Sequence, residues 1–449
     1  MKDTYSTKIC CVGLGPAGIG LVYTLSNSPL AEHMLCLEAG CAAESRHCHI
    51  LMGEACNQEN PCNMISGVGG CSALASGKLS EYPAGGGLTS ILGSAEFTKQ
   101  KLHEALDILK NYLPLRRYVT NANQSVVEEN FRKLGFTYRY YPVHIFDHHD
   151  LVSAYNRILQ YAESNGVRIL LNTEVSTIQP VGNHFELICR QKNRKIKITA
   201  KYLILAVGRY GQRLLKSLNS RIHGMCREYH LDVGVRLEFP TEIYPDIDAS
   251  HKDLKLLFDN ARTFCVCKDG MIAPYRTDNC FFLEGYFNPY CKTEFTNLAI
   301  MIRLRFSEQH ERVFNEIRNR MLKISKGKPV RQMLPDYLGI NIESVFNACS
   351  ISFWQWGDVN QCFPLYISKK VRASVYKFVT KLMPKTQWNK VSVFAPEIDY
   401  RLRFPINSDF SVFPGLYLVG DCTGRFRGIL QAFCSGIVCA ENIMKRESQ

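Results

Sequence analysis

The sequence predicts an α/β fold in which a parallel sheet, assembled from the beginning, middle and end of the chain, carries an inserted mixed α+β domain. Three observations predict it. Short apolar runs at 8–13, 33–40 and 203–207 are typical of buried parallel strands. A glycine-rich turn and a helical pattern follow the first run. Short strands and helical stretches alternate between about 212 and 395.

The composition excludes several classes of protein. The chain has 449 residues, of which 46% are hydrophobic and 21% charged, so it can bury the core of two or three domains and is not disordered. Its longest apolar stretches fall far short of the ~20 residues that cross a bilayer, and no signal segment is evident. Nineteen cysteines is an odd number, which favours reduced thiols. We therefore expect a soluble, cytoplasmic protein.

The charge balance is strongly basic. Lys and Arg number 54 against 41 Asp and Glu, a net charge of +13, with dense runs at 190–197 and 313–331. One interpretation is an anionic partner: a phosphorylated cofactor, an acidic substrate, RNA or a membrane surface. The simpler interpretation is a solvated basic face, because neither run interleaves aromatic residues that could read bases. We expect no specific nucleic-acid binding.

The first forty residues predict a βαβ unit. A strand at 8–13 is followed by Ile19, Val22 and Leu25 near helical spacing, and then by a second strand that ends in Glu38. The intervening turn reads Gly13-Leu14-Gly15-Pro16-Ala17-Gly18, and G-x-G-x-x-G in this context is typical of a dinucleotide site.

Each residue of this motif has a physical role at such a site. Gly13 permits the tight turn, Gly15 lets the backbone approach a pyrophosphate at the positive end of the helix, and Gly18 allows the helix and strand to pack closely. Glu38 accepts hydrogen bonds from a ribose hydroxyl. The unit therefore predicts a bound dinucleotide.

The middle of the chain predicts further elements. The glycine-rich stretch from Gly40 to about Gly93 is irregular, and such long loops are usually functional. Helices are predicted at ~96–112, ~123–135, ~150–164, ~294–325 and ~368–383, and strands at 166–180, 184–190, 195–208, 233–239, 262–267 and 279–287.

The end of the chain returns to the first pattern. An apolar strand ends in Gly420-Asp421, a glycine turn follows, and a helix closes the sequence. An aspartate at this point suits FAD rather than a nicotinamide, because the ribitol chain of FAD needs a polar acceptor and a helix N-terminus suits the pyrimidine edge of its ring. The predicted architecture is a Rossmann-like FAD-binding domain (1–95, 166–211 and 396–449) with a helical segment (96–165) and an inserted substrate domain (212–395).

Several segments together resemble a known family. They are GLGPAG to LEAG (13–40), GVGGCSALASGKLS (67–80), LDVGVRLEFP (231–240), ARTFCVC (261–267), APEIDYR (395–401) and GLYLVGDCTGRFRGILQAFCSG (415–436). In this order they resemble the uncharacterised FAD-dependent dehydrogenase family, which belongs with the glutathione-reductase-like flavoproteins and lies near the geranylgeranyl reductases. The resemblance is specific for FAD and weak for the substrate.

The resemblance and the motifs imply a set of FAD-binding residues. Gly69, Gly70 and Lys78 would lie along the flavin and pyrophosphate, Val175 at the adenine, and Asp421 at the ribitol. The full set is Gly13, Gly15, Pro16, Ala17, Gly18, Glu38, Ala39, Gly69, Gly70, Lys78, Val175, Ala206, Gly208, Gly420, Asp421, Gly424, Arg427, Gly428 and Ile429. The chain departs from the family where Ser72 replaces a glycine and Ser76 an aspartate, which bears on substrate identity and on redox competence.

The implied activity is hydride transfer between an organic small-molecule substrate and flavin N5, as in a dehydrogenase or a C=C reductase. No second dinucleotide fingerprint appears, so electrons would come from transient NAD(P)H, from a carrier protein or from the substrate. Two alternatives stay open: a flavin-dependent RNA-modifying enzyme, and a regulatory flavoprotein that keeps FAD for structure.

Other residues have weaker functional interpretations. The cysteines near His47 and His49 lack metal-ligand spacing, so no metal is predicted. Cys10 and Cys11 are predicted to be core, whereas Cys71 is a candidate redox thiol. Three further groups are candidates for catalysis or substrate binding, and each also has a structural interpretation. The histidines His144, His148 and His149 could instead form a turn and helix cap, and the aromatic run at 353–357 could be core. Arg401 and Arg403, near Glu397, could clamp an anionic substrate or form a surface ion pair.

Overall fold

The computed structural model describes residues 3–74, 77–118, 123–222, 228–244, 253–277, 279–289, 292–304, 309–344 and 348–449. Within these ranges no helix is both long and apolar enough to cross a membrane. The described residues include 21 strands and ten α-helices, joined by 3₁₀ turns and loops.

The strands, in chain order, are β1 Asp3–Val12, β2 Met34–Leu37, β3 Lys78–Ser80, β4 Arg116–Tyr118, β5 Thr137–Tyr138, β6 Val143–Ile145, β7 Arg168–Leu170, β8 Thr173–Val181, β9 His184–Gln191, β10 Arg194–Leu205, β11 Glu228–Pro240, β12 Leu256–Phe258, β13 Ala261–Cys267, β14 Met271–Thr277, β15 Cys280–Tyr286, β16 Phe295–Arg303, β17 Val330–Met333, β18 Gln355–Trp356, β19 Ser392–Arg403, β20 Ser411–Phe413 and β21 Leu416–Leu418. The helices are α1 Pro16–Ser26, α2 Thr89–Leu92, α3 Ala95–Lys110, α4 Gln124–Lys133, α5 His148–Ser164, α6 Gln212–Arg221, α7 His310–Ser325, α8 Leu334–Leu338, α9 Leu365–Leu382 and α10 Ile429–Glu447.

The first sheet is a parallel core in the order β21-β10-β1-β2-β7. Its strands come from the beginning, middle and end of the chain, and the register sets Cys11 opposite Ile204 and Cys36. Cys10 and Cys11 are fully buried, as predicted for core residues, since adjacent side chains on a strand point to opposite faces. Helix α1 makes the crossover from β1 to β2 and packs against α10.

Two additions to this parallel core are antiparallel. Strands β8, β9 and β10 form a meander, and β20 pairs with β21. The basic run at 190–197 lies at the turn between β9 and β10, where it is mostly exposed. The strands predicted at 184–190 and 195–208 therefore form a hairpin.

The second sheet has eight strands in the order β18-β17-β19-β11-β16-β13-β12-β5. It is antiparallel except for the short pairing of β17 with β18. Its hydrophobic core includes Leu237, Ile300, Val393 and Phe378, the last from helix α9. This mixed α+β part lies mainly within the middle of the chain, although β5 comes from the segment predicted to be helical.

The fold class is confirmed: a Rossmann-like parallel sheet with a mixed α+β insertion. One element was wrong, because residues 295–303 of the predicted helix 294–325 form strand β16. That strand is paired with β11 on one side and β13 on the other, and its residues 296–302 are all buried. A strand buried on both faces shows no alternation, so its apolar run cannot be distinguished from a helix by periodicity. The domain limits themselves stay predictions.

Candidate functional site

A cavity of about 1610 Å³ opens along the carboxyl ends of the parallel strands and extends beneath strand β13 of the second sheet. Ligand pockets are commonly about 300–1,000 Å³, so this cavity has room for a dinucleotide and a second small molecule. In open α/β sheets, ligands bind outside the carboxyl ends of the strands.

Most of the predicted FAD-binding residues line this one cavity. They are Gly13, Gly15, Pro16, Ala17, Glu38, Ala39, Gly70, Lys78, Val175, Ala206, Gly208, Asp421, Gly424, Arg427, Gly428 and Ile429. Gly18, Gly69 and Gly420 do not line it. A Cβ on Gly18 would collide with the carbonyl of Gly13, so Gly18 serves close packing as predicted.

The turn between β1 and α1 has the backbone that the glycine motif predicts. Gly13 has φ of +100°, and a Cβ there would lie 2.5 Å from the carbonyl oxygen of Ala206. Gly15 caps helix α1, and a Cβ there would meet only Gly70 Cα, at 3.9 Å. The backbone at Gly15 is therefore open to the cavity at the positive end of a helix, which suits an anionic group.

Glu38 is buried at the end of β2, and three backbone amides donate to its carboxylate. Leu14 N donates to Oε2 at 2.8 Å, while Gly40 N and Gly67 N donate to Oε1, each at 2.9 Å. A carboxylate has about four lone-pair sites, so it can still accept from a ribose hydroxyl. Glu38 thus also joins the glycine turn to the loop at 67–70.

Arg46 is a residue that the sequence interpretation missed. It is buried beneath the 67–70 loop, where Nη1 donates to the carbonyls of Val68 and Gly70, both at 2.7 Å, and Nη2 to that of Asn63 at 2.6 Å. Burial lowers its pKa. The arginine therefore fixes the conformation of the glycine loop from behind, a role that no local sequence pattern signals.

The loop carries one of the two departures from the family. Ser72 donates to the carbonyl of Gly69 at 2.6 Å and lies 3.1 Å from the hydroxyl of Tyr155, so its side chain stabilises the turn. The other departure, Ser76, lies outside the described residues. Lys78 lines the cavity, but its ammonium bonds the carbonyl of Val266 and, at 3.2 Å, Asp253.

Asp421 also lines the cavity and is held by two arginines. Arg401 forms an ion pair with Oδ1 and donates to the Asp421 carbonyl at 2.8 Å, and Arg209 Nε lies 3.6 Å from Oδ2. Burial lowers the pKa of Arg401 to about 10, and the nearby Arg427 adds to this effect. Arg401 is almost fully buried, so the interpretation as a surface ion pair was wrong.

A second charged group lies beside Arg401 and consists of His230 and Asp232 on β11 and Asp399 on β19. Burial alone would raise the pKa of Asp399, but Arg401, Arg427 and His230 hold it well below its usual value. Burial alone would lower the pKa of His230, but hydrogen bonds with Asp232 and Asp399 raise it. His230 lines the cavity and was missed because only the pairing of β11 with β19 brings it to Asp399.

His230, Asp232 and Asp399 could geometrically hold a metal ion, and so could His47, His49 and Glu59. The first group is surrounded by cations, with Arg262 Nη2 at 2.7 Å and Arg303 Nε at 3.0 Å from the Asp232 carboxylate. Those arginines already neutralise Asp232, and Arg401 and Arg427 neutralise Asp399.

Several cavity atoms have no hydrogen-bond partner within the described part of the chain. Arg209 Nε, Arg401 Nη2 and Arg427 Nε are buried donors of this kind. Buried donors normally have partners, and these three lie around the cavity end where Asp421 and the N-terminus of α10 are found. The residues present therefore fit a ligand that offers hydrogen-bond acceptors, as the flavin ring and ribitol of FAD do.

The candidate histidines and the aromatic run do not line this cavity, whereas Cys71 does. None of His144, His148 and His149 is among the residues that line it. His144 bonds Glu81 at 2.7 Å, and His148 stacks on Tyr286 with ring centroids 5.2 Å apart. The two tryptophans of the aromatic run pack on Arg331, whose Cζ lies 4.8 Å from the ring centroid of Trp354 and 4.7 Å from that of Trp356. Burial raises the pKa of the Cys71 thiol, which does line the cavity.

The chain is similar in structure to several flavoproteins at low identity. A flavin-dependent brominase has 12% identity and a TM-score of 0.44, with 99% of this chain and 80% of that one covered. A flavoprotein/dehydrogenase from Cytophaga hutchinsonii has 10% identity and a TM-score of 0.42, with 99% of this chain and 79% of that one covered. A geranylgeranyl bacteriochlorophyll reductase-like protein from Thermoplasma acidophilum has 11% identity and a TM-score of 0.40, with 99% of this chain and 80% of that one covered.

No protein-family model and no curated protein sequence matches the chain. Membership of the FAD-dependent dehydrogenase family therefore stays a prediction. At these identities and TM-scores the function must be argued from the residues of the cavity itself.

Proposed function

We propose that this chain binds one FAD non-covalently and is a FAD-dependent oxidoreductase that acts on an organic small molecule. The observation that carries the proposal is the single cavity onto which the glycine turn at 13–18, the loop at 67–70 and the segment 421–429 converge. These segments are far apart in sequence and carry the residues predicted independently for the pyrophosphate, ribose, ribitol and ring of FAD.

The chain's residues would bind each part of the cofactor by its chemistry. The N-terminus of α1 with the bare backbone of Gly15 suits the pyrophosphate, and Glu38 suits a ribose hydroxyl. Asp421, fixed by Arg401, suits a hydroxyl of the ribitol. Helix α10 begins at Ile429, so its positive end suits the electron-rich pyrimidine edge of the ring.

When bound, FAD supplies hydride acceptance and donation at N5, which no amino-acid side chain provides. The protein's own contribution is position, charge and protons. Arg401 and Arg427 bring positive charge to the ring end of the cavity, where negative charge would develop. His230, with its pKa raised, can hold a proton at Nε2 between Asp232 and Asp399 and is placed on the wall to donate it.

The substrate is proposed to be an anion. Among the described residues, the cavity wall carries thirteen Lys and Arg side chains and seven Asp and Glu side chains. The cations beyond the FAD segments include Arg139, Lys255 and Arg262, which lie on or next to the second sheet. A cavity with an excess of one charge raises the local concentration of small molecules with the opposite charge.

The first experiment is purification followed by an absorbance spectrum and anaerobic addition of NADH or NADPH. We expect a flavin spectrum in the folded protein and bleaching with a competent donor. A flavin that neither nicotinamide reduces would favour a carrier protein or the substrate as donor, and reduction by no donor of any class would favour the regulatory alternative.

A further inference from the structure

Two thiols face each other on strand β13. The Sγ atoms of Cys265 and Cys267 lie 3.8 Å apart. Between Phe264 and Cys267 the strand bulges, so that three residue steps on β13 oppose two on β16. Cys265 has φ of +46°, a conformation that residues other than glycine rarely adopt. The backbone is therefore held in an unusual form that brings the two sulfurs into contact.

The neighbouring strand leaves space for the sulfurs. A Cβ on Gly285 of β15 would lie 2.6 Å from Cys267 Sγ and 3.1 Å from Cys265 Sγ. A larger residue at this position would force the thiols apart. The glycine thus creates a compartment that the two sulfurs share.

Two cations lie beside the pair, and each is also paired with a carboxylate, Lys78 with Asp253 and Arg236 with Glu397. Lys78 bonds the carbonyl of Val266, between the two cysteines, and Arg236 Nη1 donates to the carbonyl of Cys265 at 3.1 Å. The hydrogen bond from Cys265 lowers the pKa of Cys267 against the effect of burial, and Lys78 and Arg236 lower it further. The same hydrogen bond, together with burial, raises the pKa of Cys265. Because the thiolate is the reactive form of cysteine, Cys267 is the nucleophile of the pair.

The pair reaches the proposed flavin site. Cys265 is half-buried and lines the cavity, whereas Cys267 is fully buried behind it. The residue before Cys265 is Phe264, and the guanidinium carbon of Arg427 lies 4.8 Å from the centroid of its ring. Arg427 and Lys78 are both predicted FAD-binding residues, so the dithiol lies between two of them.

We propose that Cys265 and Cys267 form a redox-active dithiol that exchanges an electron pair with the flavin bound in the same cavity. Oxidation joins the two sulfurs and releases two electrons and two protons, which oxidised FAD accepts to give FADH₂. The reverse step breaks the S–S bond, reoxidises the flavin and restores two thiols. Closing the bond brings the sulfurs from 3.8 Å to about 2.05 Å.

Electron exchange rests on the proposed FAD site, whereas formation of the disulfide does not. The first test is therefore made on protein without flavin, in a buffer of oxidised and reduced glutathione, followed by alkylation and mass spectrometry. We expect a disulfide within the peptide that contains 265–267, lost on reduction with dithiothreitol. Two fully alkylated thiols in the oxidising buffer would overturn the dithiol.

The second test is an anaerobic dithionite titration of the oxidised, FAD-loaded protein. The parent should consume two electrons for the flavin and two more for the disulfide, because each is a two-electron couple. The variants Cys265→Ser and Cys267→Ser should consume only the two electrons that reduce the flavin. Cys71→Ser, which removes another thiol of the same cavity, should titrate like the parent.

The outcomes separate the two proposals. A flavin-free protein that still forms the disulfide, but that binds no added FAD, supports the dithiol and overturns the FAD site together with electron exchange. A flavin-loaded parent that titrates like Cys265→Ser overturns electron exchange and leaves the FAD-dependent function standing.

Discussion

Replacing Glu38 with glutamine should destabilise the protein even without a cofactor. The carboxylate accepts from the amides of Leu14, Gly40 and Gly67 at 2.8–2.9 Å. Glutamine keeps one carbonyl oxygen, which can still accept hydrogen bonds from the amides of Gly40 and Gly67. Its NH₂ group then faces the backbone N–H of Leu14, so two donors meet and no hydrogen bond forms. One hydrogen bond is lost and two lose their charge.

The magnitude follows from these three bonds. A hydrogen bond to a charged group contributes about 1.5–3 kcal/mol and a neutral one about 0.5–1.5 kcal/mol. Losing the first and weakening the other two lowers the free energy of unfolding by about 5 kcal/mol. Glu44→Gln is the matched control, because Glu44 is exposed and only six residues further along the chain, and surface changes usually stay within about 0.5 kcal/mol.

The assay is urea unfolding of the flavin-free proteins, in which the midpoint and slope give the free energy of unfolding. Equal stability of Glu38→Gln and Glu44→Gln would mean that the three amides do not depend on the carboxylate of Glu38. FAD titration should then show weaker binding by Glu38→Gln, by about tenfold or more, since a charged hydrogen bond to the ribose is lost as well.

Three further predictions concern the glycine turn, a buried histidine and the basic surface. Gly13→Ala should abolish flavin retention, because its Cβ would lie 2.5 Å from the Ala206 carbonyl oxygen. Gly53→Ala is the control and should retain flavin, because Gly53 also has a positive φ but has open space around it. Equal retention by the two variants in equilibrium dialysis would contradict the close approach at Gly13. Burial lowers the pKa of His148, stacked on Tyr286, to about 4, so the unfolded state binds more protons and stability falls by about 3 kcal/mol as the pH drops from about 6.5 to 4. His148→Phe should flatten that pH profile of unfolding, and an unchanged slope would assign it to other groups. Binding of tRNA should be weak and lost by about 200 mM salt in filter-binding assays, and selective submicromolar binding that survives this salt would favour the RNA-modifying alternative.

The sequence predicted the parts of the fold that depend on local pattern. The glycine turn and the strands around it follow from short-range rules, because a positive φ at Gly13 and an apolar run each leave a local trace. Strand β16 was wrongly predicted as helix because it is buried on both faces, a consequence of tertiary pairing with β11 and β13.

The missed residues share a different cause. Arg46 bonds carbonyls 17–24 residues away, and His230 reaches Asp399 only across paired strands. Cys265 and Cys267 do leave a local signal, a C-x-C pattern, but whether two such sulfurs meet depends on the bulge in β13 and on Gly285 of strand β15, which packs against β13. Chemistry that long-range packing creates cannot be obtained from spacing alone.

Whether the cavity holds FAD is tested by identifying the small molecule that heat releases from the purified protein. We expect a supernatant with the absorbance, fluorescence and mass of FAD, in a molar ratio to protein approaching one. A supernatant without flavin, from protein that also fails to bind added FAD, or one that contains NAD instead, would contradict the proposal that the cavity holds FAD.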